Sequence, residues 1–296
     1  MKQFGLLKPS LLALSLAGLL GTASLSHAQI TVTSSTDALA LAKALIQDPS
    51  ISIVSATYTG ANGASGFFSG GSSQGVLPFK SGVILTNGSV NVAVGPNGST
   101  GFSTSNSLAG DPLLTALAGG ATNDASILEI HFVPKATVIS FQYVFGSEEY
   151  PEFVNSYNDA FGFFLNGKNI ALIPGTAAPV TINSVNDVNA GSNPLYYYSN
   201  TGATLNTELD GLVGRNLGYY LYASGTVNAG VDNVIHISIA DALDTKLDSA
   251  VFLAGGSFIN QPPIIDGAVP EPSTYGMIGA GVLLVGVMLR RWFSKR

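Results

Sequence analysis

Cysteine is absent from the 296 residues, so no disulfide can staple the fold and no thiolate can serve as nucleophile or metal ligand. Charge is scarce as well: Asp, Glu, Lys and Arg together make up 10% of the chain, too little for a helical bundle or an ordinary cytosolic surface. Basic residues are the rarest part of it. Of 12 Lys and Arg, Lys2, Lys8, Arg290, Arg291, Lys295 and Arg296 lie in the terminal segments, which leaves 6 between residues 29 and 270 against 17 acids, a balance of −11. Phosphate recognition needs basic patches, so nucleic acid is excluded as a partner. Histidine numbers 3. His131 and His236 fall inside alternating runs, and the period puts His236 with Val234, Ser238 and Ala240, away from Ile235, Ile237 and Ile239, as a half-exposed strand residue rather than a base. No H-E-x-x-H motif occurs, and the chain reads as non-catalytic.

What is present begins at the two ends. Residues 1–28 join Lys2 and Lys8 to an apolar run at 11–20 and the small-x-small triplet Ser26-His27-Ala28, a secretory signal peptide cut between Ala28 and Gln29. The run is too short, and too soon followed by a cleavage site, for a lasting span. An exported chain without cysteine depends on its core, and on metal if it binds any. At the other end a linker at 261–274 carries Pro270-Glu271-Pro272, followed by an apolar run at 275–289 near the short limit for spanning and a basic tail at 290–296 that holds the end in the cytoplasm. A permanent single-span anchor is the plain alternative to a transient one.

Between these ends, residues 29–260 read as one β-rich domain. With Gly 35 and Pro 14, turns are frequent. Alternating runs at 51–59, 82–86, 127–133, 137–145, 160–165, 218–227, 233–240 and 249–258 predict strands, with further apolar runs at 170–173 and 180–185. Asn166-Gly167 predicts a type I′ hairpin returning 170–173 antiparallel, and Pro134-Lys135 a hairpin between 127–133 and 137–145. Residues 60–75 read as a flexible glycine-rich run anchored only by Phe67 and Phe68. Two short helices are expected: 36–46, capped by Ser35 or Thr36, and one opened by Asp111-Pro112 and closed by Gly119. Roughly ten short strands with glycine-rich turns argue for a jelly-roll-like β-sandwich.

The densest acidic cluster lies between two of these strands. Phe141, Tyr143 and Phe145 turn one aromatic face to the core; Gly146 ends the strand; Glu148, Glu149 and Glu152 follow, and Asn158-Asp159 opens the next. Asp241, Asp244 and Asp248 repeat the arrangement between 233–240 and 249–253. If antiparallel pairing brings these loops to one end of a sandwich, mutually repelling carboxylates there call for a cation, and hard oxygen ligands in irregular loops suit calcium. Glu149, Asp159 and Asp248 are the leading candidate ligands, with Glu148, Asn158 and Asp244 beside them; the EF-hand pattern is absent. The plain alternative is that these acids are solvated or cap turns. As a carboxylate pair, Glu149 and Asp159 would be the first to test for glycan hydrolysis. Tyr196-Tyr197-Tyr198 offers rings for stacking sugars, as in a carbohydrate-binding module, or else covers a sheet edge.

The segments SEEYPEFVN, NDAFGFFLNG, IAD and DSAVFL before GGSF, with GVILTNG and GDPLL upstream, resemble the choice-of-anchor L domain family over nearly the whole chain after residue 28. That resemblance implies an extracytoplasmic β-rich domain without an established catalytic role. The motif, apolar run and basic end resemble the PEP-CTERM sorting signal of Gram-negative bacteria, which implies passage through the inner membrane, cleavage by an exosortase-type enzyme, and display at or release from the cell surface. A structural or adhesive role within an exopolysaccharide matrix or biofilm is the resulting expectation.

Overall fold

The computed structural model describes residues 29–263. The signal peptide with Ala28, the sorting motif at Pro270, Glu271 and Pro272, the apolar run 275–289 and the basic tail lie outside the described residues.

Two antiparallel sheets lie face to face. The larger holds β1 (Thr31–Ser34), β3 (Ser65–Ser69), β4 (Ser81–Thr86), β6 (Val138–Ser147), β9 (Tyr197–Ser199), β10 (Gly211–Val213), β11 (Leu221–Thr226) and β13 (Ser249–Ala254). Its order is β1-β3-β4-β13-β6-β10-β9, and β11 lies along the first part of β6. The smaller runs β2 (Ile51–Thr59), β5 (Thr122–Pro134), β12 (Asn233–Ala242), β7 (Ala160–Leu165), β8 (Lys168–Asn169). Period-two alternation sets what each strand buries. Leu128, Ile130 and Phe132 on β5 and Ile235, Ile237 and Ile239 on β12 are fully buried, while Glu129, His131 and His236 between them are half-exposed. The aromatic face of β6 meets that of β7: Phe141 stands 5.0 Å from Phe163, Tyr143 4.8 Å from Phe163, and Phe145 4.6 Å from Phe161, ring centre to ring centre. The opposite face of the larger sheet is buried too, because Val90, Val92, Leu205 and Leu209 in its loops pack on Val144, Ile84 and Phe252. That double cover is why β13 is buried at every position.

Of the two helices, α2 (Pro112–Ala118) has the expected ends: Asp111 accepts from the Leu113 amide, Pro112 opens the first turn and Gly119 closes it at φ 71°. It seats Leu114 on Ala125, Ala160, Phe164 and Ala240, on the outer face of the smaller sheet. In α1 (Ala38–Leu45) the cap is Asp37, which accepts from Ala40; Ser35 instead accepts from the Asp37 amide and Thr36 does not cap.

Four expectations need correction. Residues 60–75 are not one flexible run, because β3 pairs with both β1 and β4. The 127–133 and 137–145 strands form no hairpin: β5 belongs to the smaller sheet and β6 to the larger. Each brings an apolar face, and the two faces bury against one another when the chain arches between layers; Ser50 and Asn260 take up the amides of Lys135 and Ala136 at the arch. Asn166-Gly167 does turn with positive φ at both residues, 50° and 83°, but the return strand is only β8. The Asn169 carboxamide accepts from the amides of Phe163 and Ala171, drawing the chain out of the ladder. Residues 180–185 bury Val180, Ile182 and Val185 from turns rather than a strand.

The register sorts the loops between two ends. Ser147 pairs with both Ser249 and Gly211, Thr86 with Ala250, Ala160 with Ala240, and Asp241 with Asn123. The ends of β4, β6 and β12 and the starts of β5, β7, β10 and β13 therefore meet at one end. The chain leaves the sandwich at the other, where Ile259 bridges Ser140 and Asn260 bonds Ala136 and Val138.

Candidate functional site

Every acid singled out from the sequence lies near the first of these ends, together with three more. Asp159 and Asp241 face each other across Asn87, whose amide nitrogen donates to Asp159 Oδ2 at 3.0 Å and to Asp241 Oδ1 at 2.5 Å. Asp159 also accepts from Ser249 Oγ at 2.8 Å and from the Ala242 amide at 3.1 Å. Both groups are buried, and burial raises both pKa values above the carboxylate range, with the charge of Asp244 adding to it at Asp159 and that of Asp159 at Asp241.

Asp248 and Asp124 hold loops. Asp248 accepts from the backbone amides of Ser89 at 2.8 Å and Thr104 at 2.6 Å, using one oxygen for each. A Cβ on Gly88 would stand 2.0 Å from its Oδ1, so only glycine permits this approach. Burial pushes the Asp248 pKa up to about 6, against the pull of those amides. Asp124, at φ 50°, accepts from the amides of Asn106 and Leu108. Asn158, another of the sequence candidates, turns away and accepts from the Asn183 amide at 3.1 Å.

The two adjacent glutamates diverge. Glu148 points toward Asp210, its neighbour across the β6–β10 pairing; Oε2 accepts from the Phe102 amide at 3.1 Å, and Oε1 is buried with no partner. Burial, then the charges of Asp210, Glu208 and Asp248, raises its pKa to about 9. Asp210 takes the Asn97 carboxamide at 2.6 Å on Oδ1 and leaves Oδ2 buried and unpartnered. Glu149 points the other way, toward Asp159 and Asp244. It is 0% exposed, and neither carboxylate oxygen has a hydrogen-bond partner. Burial, then Asp159, Asp244 and Glu152, raises its pKa to about 9. Glu149 and half-exposed Asp244 line a pocket of about 270 Å³ with Thr100, Phe153, Tyr157 and Lys246. Among the described residues, no group of three or more Asp, Glu or His side chains stands so as to hold a metal ion between them.

The sequence reading singled out the acids but not Asn87, Asp124 or Asp210. Asn87 precedes a glycine and resembles an ordinary turn residue; Asp124 and Asp210 stand alone in sequence and gain meaning only through register. Away from this end, His236 lies between two acids, Nε2 2.8 Å from Asp111 Oδ2 and Nδ1 3.2 Å from Glu129 Oε2. Tyr197 and Tyr198 lie on the edge strand β9, with Tyr196 in the turn before it, and the run offers no open platform: Tyr197 is buried against Tyr150, Arg215 covers Tyr198 at 4.1 Å, and Tyr196 meets Tyr219 edge-on at 5.4 Å.

The family model for the choice-of-anchor L domain matches residues 29–259, and that for the PEP-CTERM protein-sorting motif matches residues 268–291. No curated protein and no solved structure matches the chain. No helix among the described residues is long and apolar enough to cross a membrane.

Proposed function

Because the chain belongs to the choice-of-anchor L domain family and carries an exosortase sorting signal behind that domain, we propose that it is a structural or adhesive element of the extracellular matrix. Export, membrane-associated sorting and surface association follow from the signal itself, as does an exosortase-type enzyme as processing partner. The matrix role is our reading.

One observation carries it: the path of the chain out of the sandwich. Residues 260–274 separate the domain from the apolar run at 275–289, and a segment of that length reaches at most about 3.6 Å per residue. The domain therefore stays within about 54 Å of the point where that run is held. It leaves at the end remote from the acids, and β6, ten residues long, spans about 34 Å from one end to the other. On this reading the acidic end is the outward one, available to matrix components, while the opposite end faces the cell. The buried donors around Asp159 speak against its use with Glu149 as a hydrolytic pair, since an acid enclosed by Asn87, Ser249 and Ala242 has no path to a glycan.

Two measurements test the proposal. Mass spectrometry of the surface-recovered protein should find no peptide ending at Arg296, whereas replacing Pro270, Glu271 and Pro272 by alanine should leave that end intact in the membrane fraction. Deleting the gene should weaken matrix cohesion while exopolysaccharide secretion stays constant. Unaltered cohesion, or glycan hydrolysis by the purified protein, overturns the structural reading.

A further inference from the structure

Glu149 is a buried carboxyl with nothing to bond to. Taking a carboxylate out of water costs several kcal/mol unless a partner replaces the solvent. Protonation alone does not supply one, because a buried carboxylic O–H needs an acceptor as much as a carboxylate needs a donor, and neither Glu149 oxygen has one. Lys246, on the rim of the same pocket, is exposed and makes no ion pair with Glu149 or Asp244 within 4.0 Å. Water can enter a pocket of about 270 Å³, but it brings no charge to offset Glu149, Asp244, Asp159 and Glu152 together.

The missing partner is therefore a cation, and the pocket selects its class. Its lining offers oxygen from Glu149, Asp244, Thr100 and Tyr157, with no histidine or cysteine to favour zinc. Magnesium demands strict octahedral geometry, whereas calcium accepts six to eight oxygens in irregular arrangement and keeps waters among them. We propose that Glu149 and Asp244 hold a calcium ion in this pocket, with water filling the remaining positions. Asp159 and Asp248, in which both carboxylate oxygens already take protein donors, are not its ligands, whereas Asp244 gives only Oδ1 to the Lys246 amide. Two carboxylates and several waters make a weak site, in the range of about 10⁻⁴ to 10⁻³ M that extracellular calcium modules occupy.

The test is calorimetric titration of the full chain in detergent with calcium chloride and with magnesium chloride, paired with thermal unfolding in calcium and in chelator. Calcium should bind with a dissociation constant between about 0.1 and 1 mM and raise the unfolding midpoint, with magnesium at least tenfold weaker. Glu149→Gln should abolish both effects. Asp244→Asn, at a half-exposed position that does not threaten folding, should weaken calcium at least tenfold. Lys246→Gln, by removing a competing positive charge, should tighten it. Glu148→Gln should leave the response in place. No calcium effect on the unaltered chain overturns the proposal, as does an Asp244→Asn variant that binds like the parent. Loss in Glu148→Gln with retention in Glu149→Gln would assign the ion to the Asp210 side instead. A Lys246→Gln variant that is destabilised and indifferent to calcium would make the lysine, not an ion, the counter-charge. A matrix role could fail with all of these results intact.

Discussion

Asn87 stands between two buried carboxylates and donates to both, while its own carbonyl oxygen accepts the Ser249 amide at 2.7 Å. One neutral side chain thus links the ends of β4 and β12 to the starts of β7 and β13. Deleting a donor from a buried acceptor costs about 1–3 kcal/mol. Asn87 serves two acceptors whose charges repel, so Asn87→Ala should lower the unfolding free energy by about 3 kcal/mol. Asn87→Asp keeps the shape but adds a third carboxyl and should cost more than the alanine. Urea unfolding of the full chain gives both numbers, and an aspartate variant as stable as the parent would mean that solvent already reaches these acids. Nothing in the sequence separates Asn87 from the asparagines that merely precede a glycine in a turn. What distinguishes it is a pair of acids more than seventy residues away, brought within reach by register alone.

At the scale of elements, α2 is fastened to the smaller sheet by a clamp as well as by its apolar seat. One oxygen of Asp111 caps the helix and the other takes His236, which also reaches Glu129 across the β5–β12 pairing. Burial works against the charged imidazole, but the hydrogen bonds and charges of Asp111 and Glu129 outweigh it and hold the His236 pKa above 6.5. For Asp111, burial is likewise outweighed by its bonds to His236 and the Leu113 amide and by the His236 charge, and its pKa lies below 3.8. A raised histidine pKa gives a contribution that is fully present below about pH 6.5 and fades as pH rises through the folded value; a depressed aspartate gives one that fades only as pH falls through its own. The clamp is therefore strongest between these limits. Thermal midpoints measured from pH 6 to pH 8.5 should fall less steeply in His236→Gln than in the unaltered chain. At pH 6, Asp111→Ala should cost more than Asp111→Asn, because the amide keeps a capping oxygen, a group worth about 1 kcal/mol at such a position. Parallel pH curves would reduce His236 to a bystander.

The same elements show how far the sequence could be read. Strands such as β5 and β12 are plain from their period, and α2 from Asp111, Pro112 and Gly119. Period two fixes which face is apolar but not which sheet a strand joins, so the arch from β5 to β6 looked like a hairpin. Strand β3, made of Ser, Gly and two Phe, carries too little alternation to stand out from the glycines around it. The acids were visible as a cluster because they recur beside strand ends. Their division of labour was not, since it depends on which oxygens the backbone amides of Ser89, Thr104 and Ala242 have already claimed.

For the whole molecule, the main core draws on residues from Ala38 to Phe258 and on both sheets, so no portion can unfold without exposing the rest. The domain should melt as one cooperative unit, with calorimetric and van't Hoff enthalpies equal. Two separate transitions, or a stable proteolytic fragment ending near the β5–β6 arch, would count against this. The way the chain leaves the sandwich has a mechanical side. A pull on the tail enters first at Asn260, tied to Ala136, Val138 and Asp48, and then runs into β13, an interior strand with β4 on one flank and β6 on the other. Force along that strand loads both ladders in parallel, so the strand must slide against two neighbours at once rather than peel from one. A domain wired in this way resists being drawn out by its own tail, because a pull there is borne by a strand buried at every position.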